Sequence, residues 1–206
     1  MGAPACGKGT QAALLKEKYN LRHISTGDLL RREIANGTPV GKEASKIMAA
    51  GGLVPDDIVL GLLKKEVAVK GKGIVFDGYP RTIAQAQALG KILQDMKEEI
   101  TSVIYLNLET EEIVKRLVSR RQCKACGNIF NIRFMKNFDG KCPKCGSKDV
   151  FQREDDNETA AKKRIDVYMK DTLPVKNFYA KEKFYSEVNA NKGIQEVLAD
   201  IEKVIK

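Results

Sequence analysis

The chain opens on Gly2-Ala3-Pro4-Ala5-Cys6-Gly7-Lys8-Gly9-Thr10, a GxxxxGK pattern that runs straight into a helix-forming stretch. No other segment restricts the fold as much. The glycines let backbone N–H groups turn inward, the following helix aims its positive end at the same point, and the lysine adds a cation that can reach outward. Such a loop cradles phosphate oxygens, and it belongs on a strand–loop–helix framework. Gly9 departs from the usual pattern, which has Ser or Thr there; Thr10 follows one place later.

Apolar periodicity predicts helices over about Gly7–Lys18, from a Ser25 cap to Asn36, Gly41–Ala50, Ile58–Lys70, Thr82–Lys97, Glu111–Arg121, Asn157–Asp171, Val175–Lys181 and Ile194–Ile205. Short apolar runs predict strands at Leu21–Ile24, Gly73–Asp77, Val103–Leu108 and Phe184–Asn189. Strands alternating with helices imply an α/β fold, a mainly parallel sheet flanked by helices. With 206 residues, 43% of them hydrophobic and 31% charged, the chain can bury a sizeable core. No apolar run is long enough to span a bilayer and no signal-peptide pattern is present, so a cytoplasmic location is the default. The formal charge of +9 favours an anionic partner, without choosing between nucleic acid, a membrane surface and nucleotide phosphates.

Asp77 closes a short, almost entirely apolar strand and precedes Gly78-Tyr79-Pro80-Arg81. A carboxylate there can order Mg²⁺ and its waters beside the phosphate loop. Four of the five cysteines form Cys123-Lys124-Ala125-Cys126 and Cys142-Pro143-Lys144-Cys145, each pair followed by glycine. This is the spacing of a structural Zn²⁺ site with four thiolates and no open position; iron in the same cage and reduced free thiols are the alternatives. Cys6, inside the loop, reads as a small packing residue.

The GKGT loop ending, Ser25-Thr26-Gly27-Asp28-Leu29-Leu30-Arg31, Asp77-Gly78-Tyr79-Pro80-Arg81-Thr82 and Arg153-Glu154-Asp155-Asp156 follow one another as in the adenylate kinases. Over nearly its whole length the chain resembles the long bacterial form with a zinc-bearing lid. The resemblance implies a P-loop NTPase-type sheet with a helical NMP-binding insertion: a core of 1–24, 55–119 and 155–206, an NMP-binding subdomain of 25–54 and a lid of 120–154. It implies Mg²⁺-dependent phosphoryl transfer between ATP and AMP, giving two ADP.

On that resemblance, Gly2, Ala5, Cys6, Gly7, Lys8, Gly9 and Thr10 hold the phosphates of ATP, Arg116 and Arg120 lie over the donor nucleotide, and Ile129, Phe130 and Lys192 meet its ribose and base. Thr26, Arg31, Gly52, Leu53, Val54, Gly78, Tyr79, Pro80, Arg81 and Gln85 receive AMP. Lys8, Arg81, Arg120, Arg153 and Arg164 surround the transferring group, Arg153 and Arg164 reaching AMP as well. Arg116 and Arg120 are expected one helical turn apart, facing one ligand. Asp155 and Asp156 are expected to pair with these arginines or to form a hinge. The family implies a monomer with neither nucleic acid nor membrane as partner. The rival readings are a pyrimidine monophosphate acceptor, disfavoured by Thr26, GTP as donor, and a nucleic-acid-binding zinc ribbon. A buried strand is also expected ahead of the loop, where only Met1 stands. Either the start is misplaced or another segment fills the position; otherwise two rows of backbone groups lie unpaired.

Overall fold

A computed structural model describes residues 1–69 and 71–205. In chain order the elements are α1 (Lys8–Tyr19), β1 (Arg22–Ser25), α2 (Thr26–Ala35), α3 (Pro39–Ala49), α4 (Asp56–Val67), β2 (Ile74–Asp77), α5 (Ile83–Asp95), β3 (Val103–Asn107) and α6 (Thr110–Val118). There follow β4 (Arg120–Cys123), β5 (Ile129–Asn131), β6 (Val150–Phe151), α7 (Glu158–Val167), α8 (Leu173–Tyr179), β7 (Tyr185–Asn189) and α9 (Ile194–Val204). Several helices begin where a short polar side chain can take up a free N–H. Ser25 Oγ accepts from the Asp28 amide at 3.3 Å, Thr38 Oγ1 from Gly41 at 3.0 Å, Thr82 Oγ1 from Gln85 at 3.1 Å and Asn157 Oδ1 from Ala160 at 2.9 Å. Pro39 occupies the first turn of α3, where no N–H is required.

The parallel strands form two pairs. β1 runs beside β2 with Ser25 opposite Asp77, and β3 runs beside β7 with Leu106 opposite Val188. That register brings the ends of β1 and β2 together, so the turns carrying Thr26 and Gly78 leave the sheet at one place. Ligands of open parallel sheets bind beyond these carboxyl ends. Helices cover both pairs: Leu106, Ile113, Leu117, Val188 and Ile201 share one buried cluster, and Ile24, Val59, Leu63, Val67 and Leu89 another.

Next to β3 lies the start of the chain. The Met1 amine donates to the Ile104 carbonyl, the Leu106 amide donates to the Met1 carbonyl at 2.9 Å, and Gly2 forms a parallel bridge with Leu106. A Cβ at Gly2 would lie 2.4 Å from the Leu106 oxygen, so no larger residue fits without moving the strand. Of the two unpaired rows expected, the one on β3 is thus partly filled, by Met1 and Gly2. Among the described residues β2 has β1 alone as its strand partner.

Several boundaries shift by one or two residues, and three depart further from the sequence reading. The helix expected over Glu111–Arg121 stops at Val118, and Arg120 begins β4, antiparallel to β5 with Arg120 opposite Asn131. Pairing with Ile129–Asn131 overrides local helix propensity. Arg116 and Arg120 are therefore not neighbours on one helix. The helices expected over Asn157–Asp171 and Val175–Lys181 run into each other through a π-helical turn, Tyr168–Thr172, with Pro174 in the first turn of α8. The wider turn accommodates the absence of a proline N–H. Finally, α4 ends at Val67; the expected end, Lys70, lies outside the described residues.

Candidate active site

Gly7, in the left-handed region at φ 97°, turns the chain into α1 and directs the first amides of that helix toward the loop. The Lys8 ammonium folds back over it, donating to the carbonyls of Gly2 and Ala3 at 2.8 Å each and lying 3.5 Å from Cys6 Sγ. Cys6 is buried, as a packing residue would be. Gly9 explains its own departure from the usual motif. A Cβ there would stand 3.1 Å from Asp77 Oδ2, inside the tightest decile of such contacts. The loop and the strand-end carboxylate therefore meet at Gly9.

Asp77 lies 3.4 Å from His23 Nε2. Burial works against ionisation of Asp77, but His23 and the Lys8 ammonium outweigh it and hold the carboxyl below its ordinary value. An ionised carboxylate beside the loop is the donor that a hard divalent cation such as Mg²⁺ prefers.

The next turn gathers the second group of predicted residues. The Gly78 carbonyl accepts from Thr26 Oγ1 and from Arg81 Nε, both at 2.9 Å. The Arg81 backbone N–H donates to Gln85 Oε1 at 2.7 Å. Arg31 donates to Asp28 Oδ1 at 2.6 Å.

From the other side come arginines of β4, of the segment after β6 and of α7. Arg120 grips Asp156 with two guanidinium nitrogens, Nε at 2.7 Å from Oδ2, and Asp156 is fully buried. Arg164 donates to Asp155 Oδ2 at 2.6 Å and to Asp156 Oδ1 at 3.1 Å. Arg153 Nε donates to Gln122 Oε1 at 2.8 Å, while its buried Nη2 has no partner among the described residues. Burial, Arg164 and Arg31 push the Arg81 guanidinium down to about 10. Burial, Arg31 and Arg120 push Arg153 down to about 9. Arg164 is lowered as well, by burial first and by Arg120 and Arg31 against the pull of Asp155. Cations crowded until they destabilise one another form a receptor for a multiply charged anion.

These groups line one cleft of about 1490 Å³, larger than the 300–1,000 Å³ usual for a single small ligand. Every residue expected at the nucleotide phosphates, sugars and bases lies on its wall, from the loop to Lys192, and so does Asp77. The Lys192 ammonium itself is bonded to Asp200 at 2.6 Å. Arg116 and Arg120 both line the cleft, but from α6 and β4 rather than one turn apart on a single helix as expected. Sequence reasoning missed Phe134, which is 63% exposed on the cleft wall, with the Arg116 guanidinium 5.4 Å from its ring centre. Among mixed aromatics in an irregular segment, it carries no periodic signal.

Beside the cleft, the Sγ atoms of Cys123, Cys126, Cys142 and Cys145 all lie within 4.8 Å of one another. Cys123 and Cys145 are 3.6 Å apart at sulfur, Cys126 and Cys142 3.7 Å. A tetrahedron of metal–sulfur bonds of about 2.3 Å needs sulfurs about 3.8 Å apart, so the arrangement fits a metal ion. Both knuckles are built alike. Gly127 and Gly146 each have φ 72°, and each donates its N–H to the first cysteine of its pair at 2.9 Å. A side chain would strain either position.

The family model for adenylate kinase matches residues 1–184. An adenylate kinase of Elusimicrobium minutum is 55% identical over 205 residues, covering all of this chain and 96% of its own length. Those of Thermodesulfovibrio yellowstonii and Methanothrix thermoacetophila are 43% and 44% identical, covering 98% and 100% of this chain and 94% and 96% of their own lengths. With the phosphate loop, the arginine-lined cleft and the cysteine knuckles in one chain, these matches agree with the geometry: the chain belongs to the adenylate kinase family.

Proposed function

We propose that the cleft binds Mg·ATP and AMP together and moves the terminal phosphoryl group of ATP onto AMP, reversibly, giving two ADP. The observation that carries this reading is the cluster of Arg81, Arg153 and Arg164, each held below its ordinary pKa by burial and by neighbouring guanidinium groups. A planar phosphoryl group in transit, with charge on three equatorial oxygens, is the anion such a cluster suits.

The phosphate loop with Lys8 takes the outer phosphates of ATP. Thr26, Arg31, Val54 and Gln85 receive AMP, with Arg81 on its phosphate. Asp77, ionised and against Gly9, is the residue that would hold Mg²⁺ through water; the ion, when bound, neutralises charge on the phosphates. The attacking oxygen belongs to a phosphate monoester whose second pKa is about 6, so it is largely ionised at neutral pH. No general base is needed, in keeping with a chain whose one histidine, His23, faces Asp77.

Catalysis then rests on positioning and on cations. Asp156 holds Arg120 across the boundary of the segment 120–154, so closing that segment over the cleft exchanges this carboxylate for substrate oxygens, while Asp155 keeps Arg164 in place within the core. Closure also excludes water, which would otherwise accept the phosphoryl group. The adenylate kinase lid is a standard example of such motion. In this reading 1–24, 55–119 and 155–206 form the core, 25–54 the AMP-binding part and 120–154 the lid. We assign Zn²⁺ to the four cysteines, a structural ion in a segment with little apolar core of its own. We also infer a monomer in the cytoplasm, a compartment that keeps thiols reduced.

Replacing Arg81 by Ala tests the reading. Turnover in a coupled ADP-formation assay falls by about 10³-fold or more, the scale of a lost phosphoryl-contacting arginine. Near-normal turnover would refute the assignment.

A further inference from the structure

Gln85 is 4% exposed and lines the cleft, and its side-chain amide is held at both ends. Nε2 donates to Asp56 Oδ1 at 2.6 Å, and Oε1 accepts the Arg81 backbone N–H at 2.7 Å. The other oxygen of Asp56 accepts from Thr82 Oγ1 at 2.8 Å, and that hydroxyl also caps α5 by accepting the Gln85 N–H. Asp56 stands at the first turn of α4 and is not part of the cleft wall.

A carboxylate oxygen can only accept and a backbone amide can only donate. The orientation of the Gln85 amide is therefore chemically determined. Reversed, it would set its carbonyl against the carboxylate and its NH₂ against an N–H, losing two hydrogen bonds. In the observed orientation one N–H and one carbonyl lone pair remain for a ligand, at fixed places. A 6-aminopurine presents a donor at its 6-position beside a ring-nitrogen acceptor. A 6-oxopurine in the same pose presents an acceptor beside a donor, so it needs the amide reversed.

We propose that Asp56 is a positioning residue that sets the acceptor-base selectivity. It locks the Gln85 amide in the orientation that suits a 6-aminopurine and penalises a 6-oxopurine. The inference rests on the reading that Gln85 meets the acceptor base.

The test compares kcat/KM for AMP and for inosine 5′-monophosphate in Asp56→Asn, Gln85→Ala and the double variant. A ratio of two substrates on one preparation does not depend on the fraction folded. Asparagine can turn either its oxygen or its NH₂ toward Gln85, so it removes the constraint at that end while keeping the shape and leaving the Arg81 N–H in place. In Asp56→Asn the preference for AMP falls about tenfold, the worth of one hydrogen bond. The change appears in KM more than in kcat, and it vanishes in the Gln85→Ala background. If Gln85→Ala raises KM for AMP while Asp56→Asn leaves the preference intact, the lock is overturned and the role of Gln85 stands. If Gln85→Ala changes neither KM nor preference, both fall. An equal effect of Asp56→Asn with and without Gln85 also overturns the lock, because it would then act by another route.

Discussion

Asp77 is the residue where sequence, packing and chemistry meet most closely. It ends a strand because β2 must stop where the Gly78 turn begins, and it stays ionised because His23 and Lys8 outweigh its burial. A carboxyl held below its ordinary 3.8 contributes stability in full above that value and loses it as pH falls through the lower folded value. From about pH 5 downward the stability gap between the wild type and Asp77→Asn therefore narrows, and it closes below about pH 4. Denaturant melts across that range check this; a gap unchanged at the acid end would contradict it. The loop and Asp77 were legible in the sequence because their chemistry depends on residue types at fixed spacing. The carboxylate partners of Arg120 and Arg164 were legible only as alternatives, a pairing or a hinge. Asp56 was legible as a helix start, but its bond to Gln85 was not, since it joins the starts of two helices across a long sequence separation.

At the scale of elements, Ser25 was legible as the cap of its helix, whereas Thr82 and Asn157, read as the first residues of theirs, turn out to be caps as well. The end of α6 was not legible, because Arg120–Gln122 become a strand only through pairing with Ile129–Asn131. Nor was the join of α7 to α8, where a π-helical turn absorbs a proline that locally reads as a break. The cysteine segment is the element whose order depends most on something other than apolar burial. Cys123 and Cys142 are buried, whereas Cys126 and Cys145 are exposed. The expected outcome of elemental analysis is one Zn²⁺ per chain in the purified protein, lost in Cys142→Ser; chelation should then lower Tm and open residues 120–154 to protease, because binding free energy would support folding. Iron in the analysis would change the ion; protein with no metal at all, yet unaltered protease resistance, would contradict the role.

For the whole molecule, the parallel strands, the loop and the turns at Thr26 and Gly78 converge on one cleft with room for two nucleotides. α/β alternation made this architecture legible, and the expected interruption of the sheet is visible too, in two strand pairs with Met1 and Gly2 set against β3. How far those two residues would fill the expected place was not legible, because the contact joins them to a strand a hundred residues away. Among the described residues no helix is long and apolar enough to cross a membrane. In the proposed reading two nucleotides share one set of arginines, which implies a transfer between two phosphates rather than to water. The most direct test is the product balance of the purified chain with Mg²⁺, ATP and AMP, followed by nucleotide chromatography. Two ADP form for each ATP and AMP consumed, no ADP accumulates when AMP is omitted, and AMP outperforms UMP, CMP and GMP as acceptor. Release of inorganic phosphate in place of the second ADP, or equal rates with every acceptor, would contradict the account.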